Sequence, residues 1–418
     1  MRPISRLLIC SLLAALPLRA QDVAPLAVFD TAWTAMSRTY FDTALVNGRW
    51  KLAYDSLRRD LGAAPSMSRV RDALRALIQV PGQSHFALIP ADAIPASKSS
   101  GRAPAGAPRG TTGIVPRLAA DTLIVWRVDE GSAAAAAGAK PGDAIARIDG
   151  SDVDSVRIRL QRAFRNGPRE ANALYLQVIG SLLDGPSGDS VEVTLRDLRG
   201  GTRTLHLERR PMQGRVSQYG NLPAMVIRAS LDTTVLRVQG REVGVPIIAF
   251  SGWFPVIIQD LDRFAFSARS APAVIIDLRG NLGGAVGIIG GFAGHFSDSS
   301  WSLGTMRGRG ADLRLAANPR RATSAGERVG VISAPVAILV DGMTASASEF
   351  FAAGMQALGR ARVFGEVSAG QSLPAAMLKL PSGDVLLHPI ADHVDASGRR
   401  IEGRGVQPDT RTPLVRSE

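Results

Sequence analysis

Residues Val336–Glu349, VAILVDGMTASASE, read as a strand that runs into a turn and then a helix. Val336–Val340 is an uninterrupted apolar run of strand length, the pattern of a strand buried on both faces of a parallel sheet. Small residues follow, and from Ser346 the chain continues Ser-Ala-Ser-Glu-Phe-Phe-Ala-Ala, which reads as a helix opening. A hydroxyl at such a junction lies beside the unpaired N–H groups of the helix start, and these can stabilise a nearby oxyanion. Ser346 is therefore a candidate nucleophile. The plainer alternative is that Ser346 or Ser348 only caps the helix.

The rest of the chain bounds the choice. At 418 residues it has room for two or three domains, and 45% apolar with 21% charged residues suits a well-packed globular protein. Residues 1–20 read as a secretory signal peptide: Arg2 and Arg6, the apolar run Leu7–Leu18, and a cleavage point after Ala20. That run is too short to span a bilayer, so the expected protein is periplasmic or extracellular, with no membrane span once the signal is removed. Cys10 is the only cysteine, so a processed chain would have neither a disulfide nor a thiol nucleophile. Net charge is +12, or +9 without Arg2, Arg6 and Arg19. The arginines are scattered and have few aromatic neighbours, which argues against a nucleic-acid partner. With no His-Glu-x-x-His, Cys pair or phosphate-binding Gly-x-x-x-x-Gly-Lys-Ser, no metal or cofactor is expected. Nothing in the sequence sets the oligomeric state.

Four regions follow the signal. Residues 26–95 read as a helical region, with Phe29, Trp33, Met36 and Tyr40, then Val70, Leu74, Leu77 and Ile78, at helical spacing. Residues 96–110, rich in Ala, Pro, Ser and Gly, read as a linker. Residues 111–211 show short strands around Glu130-Gly-Ser-Ala, Ala137-Gly-Ala-Lys-Pro-Gly-Asp143 and Ile148-Asp-Gly150, and resemble a PDZ domain of the bacterial, protease-associated kind. Gln161–Ser187 is longer than that resemblance implies. Such a domain would take a peptide end as an added strand, with Gly113 and Ile114 in the candidate carboxylate loop. Residues 212–418 alternate strands and helices in an α/β pattern.

Asp277-Leu-Arg-Gly-Asn-Leu-Gly-Gly284 directly follows a second buried strand, and its glycines would let the backbone approach a substrate closely. Together with Ser346-Ala-Ser-Glu349, these motifs resemble the C-terminal-processing (tail-specific) serine peptidase family, which also includes the core of the tricorn protease. The resemblance implies an α/β catalytic domain of the ClpP/crotonase-like β-α superhelix type, with an N-terminal helical region and an inserted PDZ domain. It also implies Ser346 as nucleophile, with N–H groups of Gly283 or Gly284 and of Ala347 as the oxyanion hole.

The family's best-known members pair that serine with a lysine in a downstream Gly-Glu segment. Here the segment runs Gly365-Glu-Val-Ser-Ala-Gly-Gln371, and a neutral amide cannot take the serine proton. Lys379, in an alternating stretch, reads as a surface residue. The base must come from elsewhere. His85, in Pro81-Gly-Gln-Ser-His-Phe86, is similar to the turn that supplies it in the tricorn-like branch. Imidazole can accept the serine proton and return it to the leaving amine. His206, His295, His388 and His393 read as structural, with His393 in a loop. In Ile401-Glu-Gly-Arg-Gly-Val-Gln-Pro-Asp409 the resemblance assigns Glu402 to orient the imidazole with Ser84 bridging, while the alternative for Glu402 is an ion pair with a neighbouring Arg.

The expectation is thus an exported serine endopeptidase acting on protein or peptide substrates, with cleavage near their C-termini as the resemblance implies. The competing readings are an inactive peptide or apolar-ligand receptor that keeps the fold, and a PDZ-based scaffold.

Overall fold

The computed structural model describes residues 24–91, 108–163, 168–218 and 224–415. The expected signal peptide (1–20) and most of the expected linker (96–110) lie outside these residues.

The helical spacing at the N-terminus forms the helices Pro25–Thr39, Lys51–Leu61 and Met67–Gln79. Their apolar faces close on Phe29, Met36, Tyr40, Trp50 and Leu74, all fully buried. The region is not wholly helical. Ala87–Ile89 is a strand paired antiparallel with Val385–Pro389, which pairs in turn with Ala375–Lys379. Leu380 and Leu386 join the helical core, and Arg71 reaches buried Asp384 at 2.7 Å. The N-terminal region is therefore stitched to a hairpin about 300 positions downstream, and the His85 turn lies on that seam.

The next region along the chain is built on an antiparallel sheet, in the order Ile114–Ala119, Thr122–Val128, Ala144–Ile148, Ser190–Arg196, Thr202–Glu208. The long segment Gln161–Ser187 carries the end of the helix Val153–Ala163 and the whole of the helix Pro168–Leu183. The chain enters and leaves side by side, because Arg109–Thr111 pairs with both Gly185–Pro186 and Arg210–Pro211.

The last domain is built on a six-stranded sheet in the order Ala229–Val238, Arg241–Phe250, Val274–Asp277, Val336–Val340, Ala361–Gly365, Thr410–Arg411. Its first pair is antiparallel and the rest are parallel. Trp253, Phe264, Phe292, Phe350 and Phe351 fill the space between this sheet and the helices Ile258–Ala268, Val286–Ala293 and Ala347–Ala357. Three adjacent parallel strands end at Asp277, Val340 and Gly365, so the loops that follow them emerge side by side, where α/β sheets place their sites. His393, expected in a loop, lies instead in the strand Asp392–Asp395, fully buried and stacked on Phe350. Among the described residues no helix is long and apolar enough to cross a membrane.

Candidate active site

Ser346 caps the helix Ala347–Ala357 with φ 55° and ψ −124°, a conformation that side-chain-bearing residues rarely adopt. Such strain costs of order 1–3 kcal/mol and persists only where the surroundings over-determine it. They do so here. The Ser346 N–H donates to the Gln371 carbonyl at 2.8 Å and to the Glu349 carboxylate at 3.1 Å. The residue before it, Ala345, donates its N–H to the Asn281 carbonyl at 3.0 Å. Asp341 accepts from the N–H groups of Gly280 and Met343 and from the Arg117 guanidinium at 2.7 Å. The two turns are laced into one unit.

Ser346 is half-buried, whereas Ser348 is fully buried and its hydroxyl accepts from Trp253 Nε1 at 2.9 Å. That geometry leaves Ser346 as the hydroxyl open to a substrate. Gly283 lies against it: a Cβ added at Gly283 would come within 2.6 Å of Ser346 Cβ and 3.0 Å of Ala347 N. One expectation changes here. The Gly283 N–H is engaged by Asn281 Oδ1 at 3.0 Å, so of the three expected oxyanion donors Gly284 and Ala347 remain, neither donating a hydrogen bond among the described residues.

Ser84, His85 and Glu402 form one network. Glu402 accepts from the Ser84 N–H at 2.9 Å, the Ser84 hydroxyl at 3.0 Å and the Ser372 N–H at 2.7 Å. Ser84 Oγ lies 2.8 Å from His85 Nδ1. A hydroxyl has one proton to give; having given it to the carboxylate, Ser84 Oγ accepts from Nδ1–H, which fixes the imidazole with its Nε2 lone pair free. Burial pushes His85 down to about 4, so it is neutral at pH 7. Burial also raises Glu402, opposed by the N–H groups it binds and by the Arg400 charge. Among the described residues no hydrogen bond joins Ser346 to His85. Their two networks meet at consecutive residues, Gln371 accepting from Ser346 and Ser372 donating to Glu402.

The sequence reading missed Glu349 as a site residue. It is fully buried and accepts from the Ser346, Gly370 and Gln371 N–H groups and the Ser368 hydroxyl; burial pushes it up to about 7. A Glu three residues after a helix-start Ser signals a capping box, but which loop would meet it was not visible. Gly113 and Ile114, expected to bind a peptide end, have both N–H groups engaged by the hydroxyls of Thr111 and Thr112. Both residues are buried, and Gly113 lies tight against Ser132. Lys379 is exposed at a strand end, as expected.

Residues 250–412 match Peptidase family S41. The chain is 25% identical over 412 residues to the C-terminal processing peptidase, chloroplastic, of Tetradesmus obliquus, covering 95% of this chain and 79% of that protein. It is also 25% identical over 283 residues to carboxyl-terminal-processing peptidase 1, chloroplastic, of Arabidopsis thaliana, covering 67% of this chain and half of that protein. The solved photosystem II D1 C-terminal processing protease shares the fold, with a TM-score of 0.60 at 20% identity over 94% of each chain. These similarities support a serine peptidase.

Proposed function

We propose that this chain is an exported serine endopeptidase that hydrolyses peptide bonds of protein or peptide substrates by a Ser346–His85–Glu402 mechanism. Ser346 Oγ attacks the scissile carbonyl. His85 Nε2 takes its proton and returns it to the leaving amine, while Glu402, through Ser84, holds the imidazole in the tautomer this requires. The N–H groups of Gly284 and Ala347 receive the oxyanion. The observation that carries the reading is the Glu402–Ser84–His85 network, which prepares a neutral imidazole beside the loop that holds Ser346. Substrate binding closes the last step between imidazole and hydroxyl, as apo sites commonly require. The region of residues 111–211, PDZ-like in its motifs, is tied to the Ser346 turn by Arg117, which donates to Asp341.

The test is cleavage of an unfolded protein substrate by the purified chain and by Ser346→Ala, with fluorophosphonate labelling in parallel. Cleavage and labelling that both depend on Ser346 support the proposal. A chain that binds peptide but stays unlabelled is the inactive receptor, the reading that Gln371 favours. Unchanged turnover in the Ser346→Ala variant sinks the nucleophile assignment.

A further inference from the structure

On the outer side of the Glu402 segment lies a cleft of about 410 Å³ lined by Arg169, Arg399, Arg400 and Arg404, with Gln356 and Gln407 at its wall. No carboxylate lines it. Asp395 and Asp392, set behind the wall, neutralise Arg399 and Arg400. The other two arginines have no such partner among the described residues. Arg169 donates to the carbonyls of Arg404 and Gly403; Arg404 is exposed, and among the described residues its guanidinium has no hydrogen-bond or ion-pair partner. The Gln407 amide oxygen, at one edge, is taken by Arg411, which adds a further positive charge. The Gln356 amide oxygen is buried without a donor. The cleft therefore offers guanidinium donors, two of them without a carboxylate partner among the described residues.

The cleft does not stand alone. Arg169 also lines a second space of about 200 Å³, bounded by Met343 and Ser368, residues of the two loops that flank Ser346 in the chain and in the Gly370–Gln371 contact. There Arg117 is balanced by Asp341 and Glu366 also lines the wall, so carboxylates line the second space and, among the described residues, none lines the first cleft. The arginine loop is near the reacting serine. Gly403 donates its N–H to Gly370 at 2.8 Å, and the next loop residue, Gln371, accepts the Ser346 N–H. That is about two backbone layers, on the order of 10 Å, or roughly three residues of extended peptide.

A cleft that holds two guanidinium groups without carboxylate partners among the described residues, within about three extended residues of Ser346, fits an extended chain bearing carboxylates. Guanidinium forks match carboxylate oxygens. Resting on the peptidase reading, we propose that the Arg169–Arg404 cleft is a specificity subsite for acidic residues of the substrate, placed roughly three residues from the scissile bond.

The test separates this proposal from the peptidase reading. Ser346→Ala protein is titrated by fluorescence anisotropy with a labelled ten-residue peptide carrying Glu at three consecutive positions, and with its Gln counterpart. The Glu peptide binds about tenfold or more tightly, the preference weakens with salt, and Arg404→Ala in the same background removes it. Arg404→Lys, which keeps the charge but not the fork, retains part of it. Equal affinity for the two peptides overturns the subsite, as does a preference that survives both Arg404→Ala and Arg169→Ala. In the chain with Ser346 intact, the ratio of kcat/KM for the two peptides follows the same order. If nothing is cleaved yet the Glu peptide is preferred, the subsite stands and the peptidase reading falls.

Discussion

The Ser346 turn and the His85 turn carry the two halves of the proposed proton transfer, and they are held by different forces. Ser346 joins a strand whose inward residues are buried to a helix buried from Ala347 to Met355. Its unusual backbone is fixed by residues within its own domain. His85 also has a positive φ, 62°, but lies in a half-buried turn. That turn is tied to Glu402, 318 positions from Ser84, by two hydrogen bonds from Ser84, whose hydroxyl also holds the His85 ring. Apolar packing tolerates the loss of one polar contact, whereas a turn docked by a few hydrogen bonds does not. The nucleophile's half is thus rigid by construction, and the base's half depends on how the N-terminal region sits on the catalytic domain.

Substitutions can break this comparison in graded steps. Ser346→Ala should lower kcat by about 10⁴–10⁶-fold with little change in melting temperature, since the core around it is untouched. His85→Ala should cost a similar factor and abolish fluorophosphonate labelling; labelling that persists would rule out His85 as the base. Glu402→Gln should lower kcat by about 10²–10⁴-fold. It should also speed hydrogen exchange at the Ser84 amide while leaving Ser346 protected, and equal loosening of both would erase the proposed contrast.

Arg71→Ala should destabilise the N-terminal region by about 2–4 kcal/mol, because it leaves the carboxylate of Asp384 buried without its cation. Limited proteolysis should then cut within residues 24–91 before the catalytic core. The smallest effect is that of pH. His85, His295 and His393 are pushed down to about 4, and His388 is lowered too, all by burial. Below about pH 6.5 the unfolded chain takes up protons at these four sites that the folded chain refuses, so stability falls as pH drops toward 4. Glu349, raised to about 7, acts in the opposite sense, and so do Glu402 and Asp184. With three histidines held near 4 against one carboxylate held near 7, the balance is a net loss, read as a lower melting temperature at pH 5 than at pH 7. Activity needs neutral His85, so the acid limb of kcat/KM should lie near 4; a limb near 6.5 would show that the imidazole is not buried in the working enzyme.

Much of the fold was legible in the chain. The helical spacing of Phe29, Trp33, Met36 and Tyr40 and the apolar runs at Val274 and Val336 describe faces that must be buried whatever their neighbours, so they read directly from sequence. The strand Ala87–Ile89 was missed because its partner lies near position 387, and a three-residue strand carries no period of its own. His393 was misplaced because a polar residue in a short segment between turns reads as loop, whereas stacking on Phe350 buries it in a strand. Gly283 was offered as an oxyanion donor because a glycine pair shows only that the backbone can come close; which N–H is free depends on the Asn281 side chain.

The sequence by itself determined the strand–turn–helix that presents Ser346, a local feature set by residue type and spacing; that Gln371 stands at a position where a base is expected is what the family resemblance implies. Tertiary structure alone decided that Ser84, His85 and Glu402 share one network, that Glu349 fastens Ser346 to the Gly370–Gln371 loop, and that Arg169 joins Arg399, Arg400 and Arg404 in lining one cleft. Those contacts depend on the packing of segments up to about 300 positions apart, and the pairing of distant polar groups leaves no periodic trace in the chain.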